Sequence, residues 1–255
     1  MIEQLQQFEE ISLAEATAVS LMRRHDTKYL IDRRRLTPLL QRMTSAYRVL
    51  TIEKKKQLPY LTVYFDTPDL QCYLAHHNKR RSRYKFRSRR YLISDITFNE
   101  IKEKRNTGKT YKSRIQRSAM PLFVDNTFQS FIDETIHLEK PLFPTLEVEY
   151  NRITLVHKRE KERLTIDTDL QFSGAQQNRT LRETVIIERK SERSAHTSHG
   201  RTLLKEATAY PTGFSKYCIG VALTYRGIKT NNFKEKLRTV SKIERLSPWK
   251  KYSAL

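Results

Sequence analysis

The sequence predicts an α+β fold, an antiparallel β-barrel, closed or nearly closed, lined by basic residues and flanked by helices. Three observations lead there. Strand-like segments outnumber helical ones along the 255 residues. Six of them carry Lys, Arg or Glu on alternate positions: Lys85-Phe86-Arg87-Ser88-Arg89, Glu100-Ile101-Lys102-Glu103-Lys104, residues 109–117, Tyr150-Asn151-Arg152, Arg163-Leu164-Thr165-Ile166-Asp167 and Glu188-Arg189-Lys190. Finally, 49 Lys plus Arg against 28 Asp plus Glu leave a net charge of +21. Successive strand side chains point to opposite faces, so each segment aims its charges at one surface. Sheets ordinarily bury apolar side chains. One that aligns cations with a few carboxylates fits a polyanion, which points to phosphate. Barrel closure removes sheet edges and encloses an interior.

The elements follow in order. The first 25 residues read as mostly helical, with Ser12 and Glu15 forming a capping box. A strand at Lys28-Tyr29-Leu30-Ile31 precedes a helix from Leu36 to Thr44, where Leu36, Leu39, Leu40 and Met43 share one face. Leu61 to Phe65 is a second strand, closed by Asp66-Thr67-Pro68-Asp69, and Asp69 is placed to cap a helix through Cys72, Tyr73 and Leu74. Strands dominate from Arg83 to Arg117. Phe128, Phe131 and Ile132 then predict a helix between Pro121 and Pro144. Strands return from Leu146 to Lys190, and two short helices follow at His199 to Tyr210 and Ser215 to Tyr225. One domain is expected over residues 1–230. Residues 231–255 read as a basic, mobile tail without a clear apolar face, where a membrane or protein partner could engage.

The cationic excess predicts attraction to nucleic acid, an anionic membrane or polyphosphate. A solvated basic surface is the plain alternative. Against it, the cations lie inside strand-like segments beside apolar or aromatic residues, not in a low-complexity run. Cys72 and Cys218 are the only cysteines, which excludes a cysteine zinc cluster and argues against a disulfide framework. No run of 18 apolar residues and no signal-peptide pattern occurs, so a soluble, cytoplasmic protein is expected.

Lys85, Arg87 and Arg89 share a strand face opposite Phe86, and guanidinium forks suit bidentate contact with phosphate oxygens. Glu100 and Lys102 share a face, either as a structural ion pair or as a metal ligand beside a charge clamp. Glu188 and Lys190 repeat that arrangement after the apolar start Val185-Ile186-Ile187. Burying a lone carboxylate is costly without a cation or metal, so Glu188 is the first candidate metal ligand, for Mg²⁺ or Mn²⁺. Asp167 is either a second carboxylate at the site or a partner for Arg163.

Other chemistries fit poorly. Neither a Gly-x-x-x-x-Gly-Lys-Ser/Thr phosphate loop nor a Gly-x-Gly-x-x-Gly fingerprint is present. No Gly-x-Ser-x-Gly elbow supports a hydrolase triad, and the RNP1 pattern is missing, so nucleic acid is not the expected partner. Neighbouring His76 and His77 cannot converge on one metal and read as exposed polar residues.

In order, these segments resemble the catalytic domain of the vacuolar transporter chaperone (VTC) family, in the triphosphate tunnel superfamily. The resemblance runs through Arg24-His25-Asp26-Thr27-Lys28-Tyr29, Val63-Tyr64-Phe65-Asp66-Thr67 with Tyr73, Arg87-Ser88-Arg89-Arg90-Tyr91, Glu100-Ile101-Lys102 and Lys109-Thr110-Tyr111-Lys112-Ser113-Arg114. It continues through Tyr150-Asn151-Arg152, residues 163–167, Glu188-Arg189-Lys190 and residues 214–220, covering roughly residues 20 to 225. It implies a β-barrel tunnel in which a metal-dependent transferase passes the γ-phosphate of ATP to a growing inorganic polyphosphate chain. On the matching positions, Lys28, Arg87, Arg89, Lys102, Lys109, Lys112, Arg152, Arg163, Lys190 and Lys216 are implied to bind phosphate. Glu188 is implied to hold Mn²⁺ or Mg²⁺, with Glu100 and Asp167 as further carboxylates. Gly213 departs from relatives that carry lysine there, implying one phosphate contact fewer. The regulatory domain and membrane helices of eukaryotic complexes have no counterpart in this sequence, so a stand-alone soluble enzyme, or one coupled to other proteins, is expected. Hydrolysis of triphosphate or polyphosphate is the alternative within the fold, although no Glu-x-Glu-x-Lys start precedes Lys28. A non-catalytic polyphosphate- or RNA-binding module is the alternative outside catalysis.

Overall fold

The computed structural model describes residues 2–18, 25–192 and 198–245. Arg24 of the basic motif, residues 19–24 of the expected first helix and residues 246–255 of the expected tail lie outside the described residues.

The chain opens with α1 (Ile2–Gln6), β1 (Glu9–Ile11) and α2 (Leu13–Ala18). The capping box forms as its residue types dictate: Glu15 N donates to Ser12 Oγ at 3.3 Å, and Ser12 N donates to Glu15 Oε2 at 2.9 Å. A short strand interrupts the helical start because Glu9 to Ile11 pairs in parallel with β3 (Tyr47–Leu50), a strand the periodicity did not reveal. β2 (His25–Asp32) leads to α3 (Leu36–Met43), whose Leu36, Leu39, Leu40 and Met43 are all buried. β4 (Leu58–Asp66), α4 (Gln71–His77), β5 (Arg83–Tyr91), β6 (Ile96–Lys104) and β7 (Thr110–Arg117) follow. α5 (Asn126–Asp133) buries Phe128, Phe131 and Ile132. Then come β8 (Phe143–His157), β9 (Glu162–Gly174), β10 (Asn178–Leu181), β11 (Thr184–Ser191), α6 (His199–Glu206), α7 (Lys216–Thr224) and α8 (Lys234–Ile243).

The eleven strands make one sheet with the path β2-β11-β9-β8-β4-β5-β6-β7, antiparallel at every step, with β10 beside β9 and β3 beside β8. Of the closed or nearly closed barrel expected, closure is not seen: no pairing joins β2 to β7 among the described residues. Charge on both edges opposes it: Lys112, Arg114 and Arg117 on β7, Asp26 and Lys28 on β2. The sheet is nevertheless curled, because Lys28 of β2 and Lys85 of β5 reach adjacent residues at the start of α7, Phe214 O and Ser215 Oγ, each at 3.0 Å.

Apolar residues on the outer face, including Tyr29, Ile31, Leu164, Ile166, Val185 and Ile187, pack under α1, α3 and α6. Within that layer Arg189 and Glu162 form a fully buried ion pair at 2.9 Å, and Tyr47 and Gly200 N also donate to Glu162. α7 fills part of the inner face. Gly220 allows it, since a Cβ there would stand 2.4 Å from Leu146 and 2.6 Å from Phe172.

Three sequence expectations change. Asp69 does not cap α4. Asp66 does so, accepting from Cys72 N at 2.8 Å and Tyr73 N at 2.9 Å, while Asp69 pairs with Lys140 at 2.7 Å. Three residues earlier, at the end of β4, Asp66 is itself buried and can face the orphan amides. His77 is buried, not exposed: its ring packs edge-on to Phe233 and its Nε2 lies 3.0 Å from Asn231 Oδ1. That contact docks the C-terminal segment, where α8 presents an apolar face of Leu237 and Val240. Glu244 ends this segment by accepting from the backbone amides of Arg182, Glu183 and Thr184 at 2.7–3.1 Å. No described helix is long and apolar enough to cross a membrane.

Candidate functional site

Strand register decides which charges share the inner face. Across β5, β6 and β7, Lys85 pairs with Lys102 and Lys102 with Lys112, a row of lysines opposite one another. The next row sets Tyr64, Arg87, Glu100 and Arg114 abreast, and the one beyond it Thr62, Arg89, Phe98 and Gln116. Glu100, only 1% exposed, accepts from Arg87 at 2.5 Å, pairs with Lys112 and lies 4.0 Å from Arg89. Burial would raise its pKa, but Arg87, Arg89 and Lys112 bring it down to about 2.

On the opposite wall, Lys28 pairs with Glu188 and Glu188 with Thr165, while Asp26, Lys190 and Arg163 form the adjacent row. Glu188 lies 2.8 Å from Lys190 and 3.9 Å from Lys28. These two lysines outweigh its burial and hold its carboxyl well below the usual range. Arg152 grips Asp167 through two bonds, at 2.6 and 2.8 Å, and Lys216 pairs with the same carboxylate. The Lys216 ammonium stands 4.3 Å from the Tyr150 ring centroid.

The start of α7 ties the walls together. Lys28 Nζ donates to Phe214 O at 3.0 Å, and Lys85 Nζ to Ser215 Oγ at 3.0 Å. Ser215 also caps α7, accepting from Cys218 N at 3.2 Å. Lys28, Arg87, Arg89, Lys102, Lys112, Arg152, Arg163, Lys190 and Lys216 are thus gathered with Glu100, Asp167 and Glu188. Lys109 is not among them: it is exposed in the β6–β7 turn. Gly213 has the side chain of Lys236 next to it, 3.6 Å from where a Cβ would stand.

Burial, before any other cause, lowers Lys85, Lys102, Lys112 and Lys216 to about 8. Neighbouring cations add to this in every case. Cross-strand like charges destabilise a sheet, so this face is built to be neutralised by an anion.

Residue-by-residue reading missed the aromatic members. Arg152 lies over the rings of Tyr60 and Tyr150 at 5.1 and 5.3 Å, and Tyr64 lies 3.4 Å from Arg87. Alternation in Tyr60-Leu61-Thr62-Val63-Tyr64 was the available signal. His76, read from sequence as exposed, is half-buried. Burial, then Lys85, Arg83, Lys102 and Lys104, lower its pKa to about 2, which keeps the imidazole neutral.

The carboxylates differ in what they can hold. No cluster of three or more His, Cys, Asp or Glu exists among the described residues. Glu100 and Asp167 are 1% and 3% exposed, whereas Glu188, paired with Lys190 and Lys28, keeps 19% of its side chain exposed. Of the three, Glu188 is the carboxylate that could hold a hard divalent cation, which accepts one protein carboxylate beside phosphate oxygens.

The VTC domain family matches residues 23–225 of the chain. Among solved structures, a candidate adenylate cyclase from Bacillus halodurans is similar at 14% identity, covering 77% of this chain and 98% of its own, with a TM-score of 0.49. A candidate adenylyl cyclase from Hippeastrum, described as having a dominant triphosphatase activity, shares 14% identity over 81% of this chain and 98% of its own, with a TM-score of 0.48. A candidate adenylate cyclase from Vibrio parahaemolyticus shares 11% identity over 89% and 91%, with a TM-score of 0.40. Among curated proteins, none matches.

Proposed function

The chain belongs to the VTC domain family, and from that premise we propose that it is a polyphosphate polymerase. Its substrates are ATP and inorganic polyphosphate. The observation that carries the reading is the inner face itself, where rows of cations from β5, β6 and β7 face Lys28, Glu188 and Lys190 across the curl.

Arg87, Arg89, Lys102 and Lys112 bind and orient the phosphates from one wall, and Lys28, Arg152, Arg163, Lys190 and Lys216 from the other. A terminal oxygen of the acceptor chain attacks the γ-phosphorus in line. The bond to the β,γ-bridging oxygen breaks and ADP leaves. No protein nucleophile is needed, because phosphoryl transfer demands chiefly positioning and charge stabilisation. Glu100 and Asp167 hold the guanidinium and ammonium groups in place. Glu188, with phosphate oxygens, would hold Mn²⁺ or Mg²⁺, which neutralises phosphate charge when bound. Lys109 would meet the chain only beyond this face. A cytoplasmic location, where ATP is supplied, fits this reading.

The test is incubation of purified protein with ATP and Mn²⁺, with products resolved on a urea gel stained for polyphosphate. A ladder that disappears in Glu188→Gln supports the polymerase. Phosphate release from triphosphate without a ladder moves the assignment to a hydrolase, and tight polyphosphate binding without either product to a binding module.

A further inference from the structure

Resting on the reading of this site as one for ATP, we propose that Tyr91 and Phe98 form the platform on which the nucleobase stacks. The inner face has two chemically unlike ends. Toward the start of β5 it carries the row Lys85, Lys102 and Lys112. Toward the end of β5 it turns aromatic: Tyr91 pairs with Tyr60, and Tyr60 with Tyr150. Tyr60 and Tyr150 stack at 5.3 Å and 15°, buried, and Tyr91 leans on Tyr60 at 4.9 Å.

Phe98 is the informative residue. It is half-buried on the inner face, belongs to neither apolar core, and sits in register with Arg89. Its ring meets Tyr91 edge-on at 6.0 Å and 84°, and the Arg114 guanidinium lies 4.6 Å from its centroid. With Arg114 over one face of Phe98, a base would stack on the other face and abut the Tyr91 ring set at right angles to it. Phe98 and Lys102 are four residues apart on β6, roughly 13 Å along the strand. Arg89 shares the row of Phe98, and Arg87 occupies the one row between Phe98 and Lys102. A nucleotide stacked on Phe98 therefore lays its phosphates past Arg89 and Arg87 toward the lysine row, and the acceptor chain enters from that lysine end.

Calorimetric titration of ATP and, separately, of inorganic triphosphate into wild type, Phe98→Leu and Tyr91→Ala tests this. Phe98→Leu keeps apolar bulk but removes the aromatic face. Loss of stacking weakens ATP roughly 5- to 100-fold, while triphosphate affinity stays within about twofold and certifies the fold. Phe98→Trp retains ATP binding. Equal losses for both ligands, or no loss for either, overturn the platform while leaving the phosphate site standing. A wild-type protein that binds neither ligand overturns both readings.

Discussion

Lys28 Nζ lies 3.9 Å from Glu188 Oε1 across the β2–β11 pair, while Lys190 reaches the other oxygen at 2.8 Å. Glu188 is thus a negative charge held inside a cationic wall. Its removal should have opposite effects on two readouts. Glu188→Gln should lower metal-dependent turnover on the order of a hundredfold or more. Without metal, the same variant should bind triphosphate at least as tightly as wild type, because a repelling carboxylate is gone. Steady-state kinetics and calorimetry in a chelator check the two arms. Weaker metal-free binding would show that Glu188 serves only to position its lysines.

Arg87 and Arg89 both lean on Glu100. Arg87→Ala and Arg89→Ala should each weaken nucleotide binding by about 1.5–3 kcal/mol, the range for hydrogen bonds to charged groups. The double variant should lose less than the sum, since the two share one carboxylate. Titration at two salt concentrations measures this. Losses well below about 0.5 kcal/mol at both positions would remove these residues from the site.

Lys85, Lys102, Lys112 and Lys216 are lowered to about 8, chiefly by burial, from an ordinary value near 10.4. At pH 7 they are mostly charged, and between about pH 7 and 9 the free site loses their protons. Polyanion affinity should therefore fall as pH rises from 7 to 9. Binding near pH 8.5 should take up protons, visible as a calorimetric heat that depends on the buffer's ionisation enthalpy. For folding the sign reverses. The unfolded chain holds more protons than the native one in that window, so these four groups add stability as pH rises through 8. A binding curve flat from pH 7 to 9 would refute the assignment.

Asp66 collects the backbone amides of Thr67, Cys72 and Tyr73 at 2.8–2.9 Å and the hydroxyl of Tyr217. Asp66→Ala strands several buried donors, at about 1–3 kcal/mol each. A loss of about 3 kcal/mol or more is expected by denaturant unfolding. Asp66→Asn, which keeps an acceptor, should lose less.

Much of this was legible because side-chain period carries it. Alternation placed Lys85, Arg87 and Arg89 together, and spacing picked out Leu36, Leu39, Leu40 and Met43, all of which are buried. Helix α8 escaped notice because only Leu237 and Val240 anchor it among charged neighbours. Cross-strand partners were equally hidden. That Asp167 binds Arg152 and Lys216 depends on the β8–β9 register and on the placement of α7. Neither is a local property of sequence. The same holds for the bond that Asp66 accepts from Tyr217, a tyrosine far along the chain.

Strand β11 turns Glu188 toward the charged interior and its neighbour Arg189 toward the fully buried pair with Glu162. A loss-of-function screen will score both positions alike and cluster them as one hotspot. The two defects belong to different experiments. Variants at 188 should accumulate as intact, inert protein, whereas variants at 189 should vanish from the soluble fraction, because a carboxylate would be abandoned in apolar surroundings. Protein abundance measured beside activity separates them, so genetic data on this strand acquire meaning only once the amount of folded chain is known.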